Sequence, residues 1–376
     1  MELKRHITEQ VQQDLGRKMV FIGGPRQVGK THFAIHLRPQ EEFEYYNWDS
    51  DEGRGAILSK EFSNKPLIIL DEIHKYRRWR NYLKGMFDAI RAGSAPMREI
   101  LVTGSARLDF YRFGGDSLQG RYHYIRLLPL SFNEVKGKSQ GDLETLFRFG
   151  GFPEPFLLQS EVETKRWNRE YRSRFVREDL RDLERVQDLG ALELLLGRLP
   201  DCVGSPLSLN SLREDLQVAH RTIANWVNIL ERLYSIFRVP PLRGPKIRAV
   251  KKEQKAYFYN WTFVPNDSFR FENLIAVHLL KYVYWMQDSQ GEEMELRFFR
   301  DSDGREVDFV MVRDSKPELM VECKLSQTDL SPDLQYLSNK FPKARAFQVH
   351  LRGEKDYQTP SGIRVCSAIK LLEEFI

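Results

Sequence analysis

Eight consecutive residues, Gly24, Pro25, Arg26, Gln27, Val28, Gly29, Lys30 and Thr31, match the pattern G-x-x-x-x-G-K-[ST] at every fixed position. The residue types suit one kind of chemistry. Glycines let the backbone curl so that its N–H groups face phosphate oxygens. The lysine reaches the β- and γ-phosphates as a point charge, and the threonine hydroxyl ligates magnesium. An apolar run, Lys18 to Gly23, precedes the loop and reads as a buried strand. Thr31 to Leu37 follows it and reads as a helix whose positive end adds to an anion site. All eight residues are therefore candidates for binding ATP, with Mg2+ as its companion.

A second set of groups completes that chemistry. The segment Leu67 to Glu72 (LIILDE) is an apolar strand ending in two acids. Placed beside the loop, Asp71 would hold magnesium and Glu72 would polarise the attacking water. A buried strand that simply meets water at two acids looks the same in isolation; the neighbouring loop motif favours the catalytic reading. Another strand, Ile100 to Thr103, runs into Gly104 and Ser105, which makes Ser105 a candidate contact for the γ-phosphate or the water. Phosphoryl transfer also needs extra positive charge. Arg121, in SLQGR, is the first candidate for an arginine finger and Arg107 the second. An Arg121 acting in trans requires a homo-oligomer.

A different chemistry is written near the other end. Asp308 lies in GREVDFVMV, and Glu322 and Lys324 alternate in LMVECK. Period-two spacing puts Glu322 and Lys324 on one face of a strand, with Cys323 on the other. Glu272 opens the helix before them. Carboxylates that hold magnesium (Glu272, Asp308, Glu322) with a lysine that stabilises charge (Lys324) are what metal-assisted phosphodiester cleavage needs. A hairpin with exposed charges is the competing reading.

These groups need elements to hold them. Strands are expected at Phe43–Tyr46, Leu67–Leu70, Ile100–Thr103 and Tyr122–Leu127, alternating with helices such as Trp79–Ala92. That alternation implies an α/β fold with a parallel sheet covered on both faces. After Glu134 a polar linker leads into a charged helical block ending near Leu199. Ser208–Leu216 and His220–Tyr234 then read as paired helices. The second has Ile223, Val227, Leu230 and Leu233 on one face and starts with His220, Arg221, Thr222 and Asn225. A recognition helix presents such residues to DNA. Arg243, Lys246, Arg248, Lys251, Lys252 and Lys255 would form a basic wing along a backbone, although a solvated turn has the same composition. The expected division is 1–135 P-loop core, 136–205 helical lid, 206–265 winged helix-turn-helix and 266–376 nuclease-like domain.

In order along the chain, GPRQVGKT, LDEIHKYRRW, LVTGSARL, SLQGRYHYIRLLPLSFNEV and GGFPEP resemble the bacterial and archaeal AAA+-like P-loop ATPases that carry a C-terminal restriction-endonuclease-like domain of unknown function. The resemblance implies an AAA+/RecA-like core, a helical lid, a winged helix and a PD-(D/E)XK-type end. It gives Lys30 and Thr31 the phosphate-loop roles, Asp71 and Glu72 the strand-end roles and Ser105 a sensor role. Gln335 and Tyr336 resemble an accessory pair of some such nucleases. One departure is Gln119, where the family carries a small residue before the Gly-Arg pair.

The bulk properties agree with such a protein. A chain of 376 residues, 41% apolar, suffices for two to four domains. A net charge of +5 permits a nucleic-acid partner without arguing for one. Three scattered cysteines, Cys202, Cys323 and Cys366, lack metal-ligand spacing and suit a reducing cytoplasmic setting. The apolar runs are too short to span a bilayer. Three functions remain open: an ATP-dependent DNA-processing enzyme with working nuclease chemistry, an ATP-driven switch whose nuclease fold is inert, and a protein-remodelling ATPase that meets protein partners through the winged helix.

Overall fold

The computed structural model describes residues 4–104, 118–135, 137–175, 188–242 and 254–376. The chain forms two compact units. The first comprises residues 1–128 with Asp288–Gln290, and the second residues 129–287 and 291–376.

The first unit is built on five strands: β1 (Met19–Gly23), β2 (Phe43–Asn47), β3 (Leu67–Asp71), β4 (Glu99–Gly104) and β5 (Tyr122–Arg126). Their order is β2-β3-β4-β1-β5, and every pairing is parallel. Parallel strands are covered on both faces and therefore read as continuous apolar runs; β1 and β3 are buried at every residue. Helix Trp79–Arg91 turns Trp79, Leu83 and Ile90 inward, onto Phe21, Ile68, Leu70, Ile100 and Val102. Helical spacing on one side and strand spacing on the other thus close a single core.

The second unit begins with helices at Gln140–Phe149, Pro153–Leu158, Glu161–Arg174 and Leu189–Arg198. Helices Leu209–Leu216 and His220–Arg232 follow, then an antiparallel pair, β6 (Ile236–Val239) and β7 (Lys255–Phe258). Ile223, Val227 and Leu230 are buried as their spacing predicts. Arg243, Lys246, Arg248, Lys251 and Lys252 lie outside the described residues.

The remainder is a six-stranded sheet: β8 (Met294–Arg300), β9 (Glu306–Arg313), β10 (Lys316–Ser326), β11 (Arg345–Arg352), β12 (Tyr357–Gln358) and β13 (Arg364–Ser367), in the order β12-β13-β11-β10-β9-β8. The first three form an antiparallel meander, while β10, β11 and β13 run parallel. Helix Asp267–Trp285 packs along β8–β10 with most of its residues buried. It starts five residues before Glu272, so that acid lies within the helix rather than opening it. Helix Pro332–Lys340 contributes Leu334 and Leu337 to a core with Val307, Val310 and Met320. Among the described residues, no helix is long and apolar enough to cross a membrane.

Candidate functional sites: a phosphate loop and a carboxylate cluster

Strand β1 is an interior strand, and the loop Gly24–Gly29 leaves its carboxyl end. Such an edge is where open α/β sheets bind ligands. Close packing explains the first glycine: a Cβ on Gly24 would stand 2.1 Å from the Leu127 carbonyl oxygen. Gln27 and Gly29 both take positive φ, 59° and 96°, so the backbone curls before helix Lys30–Ile35. Val28 is buried, and its carbonyl accepts from Arg5 Nη1 at 3.1 Å. Arg5 also donates to Leu128 O, which ties the loop to the chain beyond β5. Lys30 is 6% exposed and donates to Gly24 O at 3.0 Å and Pro25 O at 2.7 Å.

Strand register brings the acids to this loop. Asp71 pairs with Thr103, which pairs with Ile22 on β1. Asp71 is 4% exposed. Its Oδ2 accepts from Thr31 Oγ1 at 2.7 Å and from the Tyr45 hydroxyl at 2.8 Å, and its Oδ1 accepts from Thr103 Oγ1. Glu72 adopts φ 56°, a strained setting for a residue with a side chain. Its N–H donates to Thr103 O at 3.0 Å. Burial raises the Glu72 pKa, with Lys30 opposing and Asp71 reinforcing the shift. His74 Nε2 lies 3.5 Å from Glu72 Oε2. Burial first, then Lys75 and Lys30, lowers its pKa to about 4, so it stands beside Glu72 as a neutral ring.

A hydroxyl, a carboxylate, an ammonium and a curled loop fit ATP with magnesium. Mg2+ is commonly bound by one or two carboxylates together with substrate phosphates. Thr31 and Asp71 are the residues that would hold it. Tyr45, Thr103, Arg5 and His74 were not among the sequence candidates. Thr103 had a visible signal, as the polar residue ending an apolar strand level with Asp71.

Of the remaining sequence candidates, the structure places Arg121 elsewhere. Ser105 and Arg107 lie outside the described residues. Arg121 precedes β5, whose Tyr122 pairs with Met19. Parallel pairing therefore puts Arg121 at the amino edge of the sheet, opposite the loop. There it binds Asp88 bidentately at 2.8 and 3.1 Å. A finger role toward the phosphate site of its own chain is excluded by that register. Arg126, at the carboxyl end of β5, is instead level with Gly23 and is clasped by Asp288.

The C-terminal candidates do converge. Asp308 on β9 sits across from Glu322 on β10, since Phe309 pairs with Val321. Glu272 arrives from helix Asp267–Trp285. Lys255 corrects the expectation of a basic wing: it is fully buried. Its Nζ lies 3.1 Å from Glu272 Oε1, 2.6 Å from Glu306 Oε1 and 3.7 Å from Asp308 Oδ1. Burial works against its charge, but the carboxylates of Glu272, Asp308 and Glu306 outweigh it and raise its pKa. Glu272 Oε1 also accepts from the Tyr257 hydroxyl at 2.6 Å, and Asp308 Oδ2 accepts from Cys323 N at 2.8 Å. Lys324 Nζ donates to Glu322 Oε1 at 2.8 Å. Burial raises the pKa values of Asp308 and Glu322.

This arrangement does not fit a divalent ion. The ammonium stands against Glu272 Oε1 and Asp308 Oδ1, two of the oxygens that an ion of the expected centre would need at 2.0–2.6 Å. Among the described residues, no three His, Cys, Asp or Glu side chains form a metal-holding group. The expected metal centre of Glu272, Asp308 and Glu322 is thus corrected to a charge-compensated cluster. Gln335 and Tyr336 are exposed on helix Pro332–Lys340, where the Arg305 guanidinium stacks over Tyr336.

Residues 16–136 match the family described as AAA domain. Residues 140–264 and 269–371 match two families described as domains of unknown function, DUF8612 and DUF4143. The first unit resembles AAA P-loop ATPases. An uncharacterized protein of Methanocaldococcus jannaschii is 20% identical, covering 89% of this chain and 81% of its own length. An uncharacterized protein of Mycobacterium tuberculosis is 24% identical over 83% of this chain and 74% of its own. Among solved structures, the Aeropyrum pernix ORC1 protein in complex with DNA aligns with TM-score 0.35 and 14% identity, over 73% of this chain and 94% of that one. AMPPCP-bound DnaA from Aquifex aeolicus aligns with TM-score 0.33 and 14% identity, over 61% and 89%.

Proposed function

We propose that the chain binds ATP with Mg2+ at Gly24–Thr31, hydrolyses it, and uses its nucleotide state to control a C-terminal module that contacts DNA. The observation that carries the ATPase reading is the 2.7 Å hydrogen bond between the phosphate-loop hydroxyl of Thr31 and the strand-end carboxylate of Asp71. Bound magnesium would supply charge neutralisation on the phosphates. Lys30 would exchange its two carbonyl partners for phosphate oxygens. Tyr45 and Thr103 hold the Asp71 carboxylate in one orientation. Glu72, with its raised pKa, accepts a proton from water more readily than an ordinary carboxylate.

For the DNA part, His220, Arg221 and Asn225 are exposed at the start of helix His220–Arg232, while its apolar face is buried. A recognition helix has this arrangement. The chain reads as core, lid, winged helix and nuclease-like end, and it assembles into an oligomer if Arg121 serves a neighbouring subunit. The Lys255 contacts favour the variant in which the nuclease-like sheet binds or supports rather than cuts.

The test uses two substitutions. Lys30→Ala should abolish ATP binding. Glu72→Gln should keep ATP affinity and slow turnover by about 100-fold or more, the usual contribution of a general base. ATP affinity unchanged in Lys30→Ala would refute the loop assignment. Binding of a short duplex that weakens steeply with salt supports the DNA part, and salt-independent or absent binding counts against it.

A further inference from the structure

We infer that Lys255 is a built-in counter-cation among Glu272, Glu306 and Asp308, engaging two of the three acids of the expected metal centre, so that this domain is complete without metal. The inference does not depend on the ATPase reading.

Geometry carries it. Only 1% of the Lys255 side chain is exposed, and its Nζ lies within 3.7 Å of three carboxylates from two elements, helix Asp267–Trp285 and strand β9. An ion ligated by those oxygens and the ammonium exclude each other by contact distance. The lysine is also fixed at its base. It belongs to β7, pairs there with Val239 of β6 and bridges to Pro206. Its ammonium lies 5.6 Å from the Phe298 ring centroid. Tyr257, the Cys323 N–H and Lys324 engage one oxygen each of Glu272, Asp308 and Glu322, while Glu322 Oε2 has no hydrogen-bond partner among the described residues. The D…ExK pattern thus marks the fold, while a lysine from outside that pattern replaces the cofactor its acids are suited to hold. The consequence is loss of metal-assisted phosphodiester cleavage and retention of a rigid joint between β7, the long helix and the sheet.

The experiment measures Mn2+ binding to the full, nucleotide-free chain by electron paramagnetic resonance, comparing wild type, Asp308→Asn, Lys255→Met and the double variant. Wild type and Asp308→Asn should bind the same number of ions. Lys255→Met should gain one site, at least tenfold tighter than any in wild type, which Asp308→Asn removes. A wild-type Mn2+ site lost in Asp308→Asn would overturn the inference, and so would a folded Lys255→Met without the new site. If Lys255→Met does not fold, the first comparison still decides. ATP affinity measured on the same samples should be unchanged, so failure of the ATPase reading shows separately.

Discussion

Asp71→Asn separates the metal-holding role of this carboxylate from its structural role. In the protein Asp71 accepts from three hydroxyls, those of Thr31, Tyr45 and Thr103. The amide oxygen of asparagine can keep two of them. The third hydroxyl can rotate to accept from the amide N–H, because hydroxyls both donate and accept. The structural cost should therefore stay below about 1 kcal/mol, a fall in Tm of a few degrees. The functional cost is larger. A divalent ion and a carboxylate about 4 Å apart attract by about 2 kcal/mol even at the dielectric of water, and by more at a protein surface. Losing that charge should weaken Mg-ATP binding about thirtyfold or more, while affinity for ATP in chelator stays at the wild-type value. Titration with a fluorescent ATP analogue, with and without magnesium, reads both numbers. An Asp71→Asn protein that keeps the wild-type ratio of the two affinities would refute the assignment.

Gly24→Ala should weaken ATP binding five- to 150-fold, because the new Cβ meets Leu127 O at 2.1 Å and the loop must adopt a strained or shifted path, about 1–3 kcal/mol; unchanged affinity in the same titration would sink that reasoning. A pH prediction concerns His278, whose Nε2 accepts from Phe132 N–H at 3.0 Å. Burial lowers its pKa from 6.5 to about 4, so between those values the unfolded chain binds more protons than the folded one. The stability this neutral ring gives is present above pH 6.5 and lost as pH falls toward 4, at up to about 1.4 kcal/mol per pH unit. Calorimetry should show a shallower acid decline for His278→Gln than for wild type, and an identical decline would count against it.

The phosphate site was legible where sequence pattern and backbone geometry coincide. Met19–Gly23 and Leu67–Leu70 are apolar without interruption because parallel strands are buried on both faces, and each stops at the candidate phosphate-site residues. Tyr45 and Arg5 were not legible. Each depends on a packing relation between segments distant in sequence, such as the Arg5 bond to Val28 O, and no local period encodes it. Arg121 shows the complementary failure. Its type suited a finger, but a parallel strand has two ends, and its place at the start of β5 puts it away from its own chain's loop, which leaves only action in trans.

Lys255 is the instructive miss. Its neighbours in sequence, Lys251 and Lys252, invite one reading for the whole basic run. Yet Lys255 and Tyr257 alternate with Ala256 and Phe258, and in a strand that period sends the two polar groups to one face. In β7 both faces are buried, so both polar groups needed partners, and Glu272 Oε1 accepts from each. A buried lysine must be paired, because an unpaired ammonium is costly in a low-dielectric interior. Three carboxylates brought together by helix Asp267–Trp285 and β9 face the converse problem and require a cation. The two requirements satisfy one another inside the chain. An acidic constellation read from β9 and β10 alone therefore predicts a metal, whereas with β7 in place Lys255 already pairs with Asp308 and with Glu272 beside it.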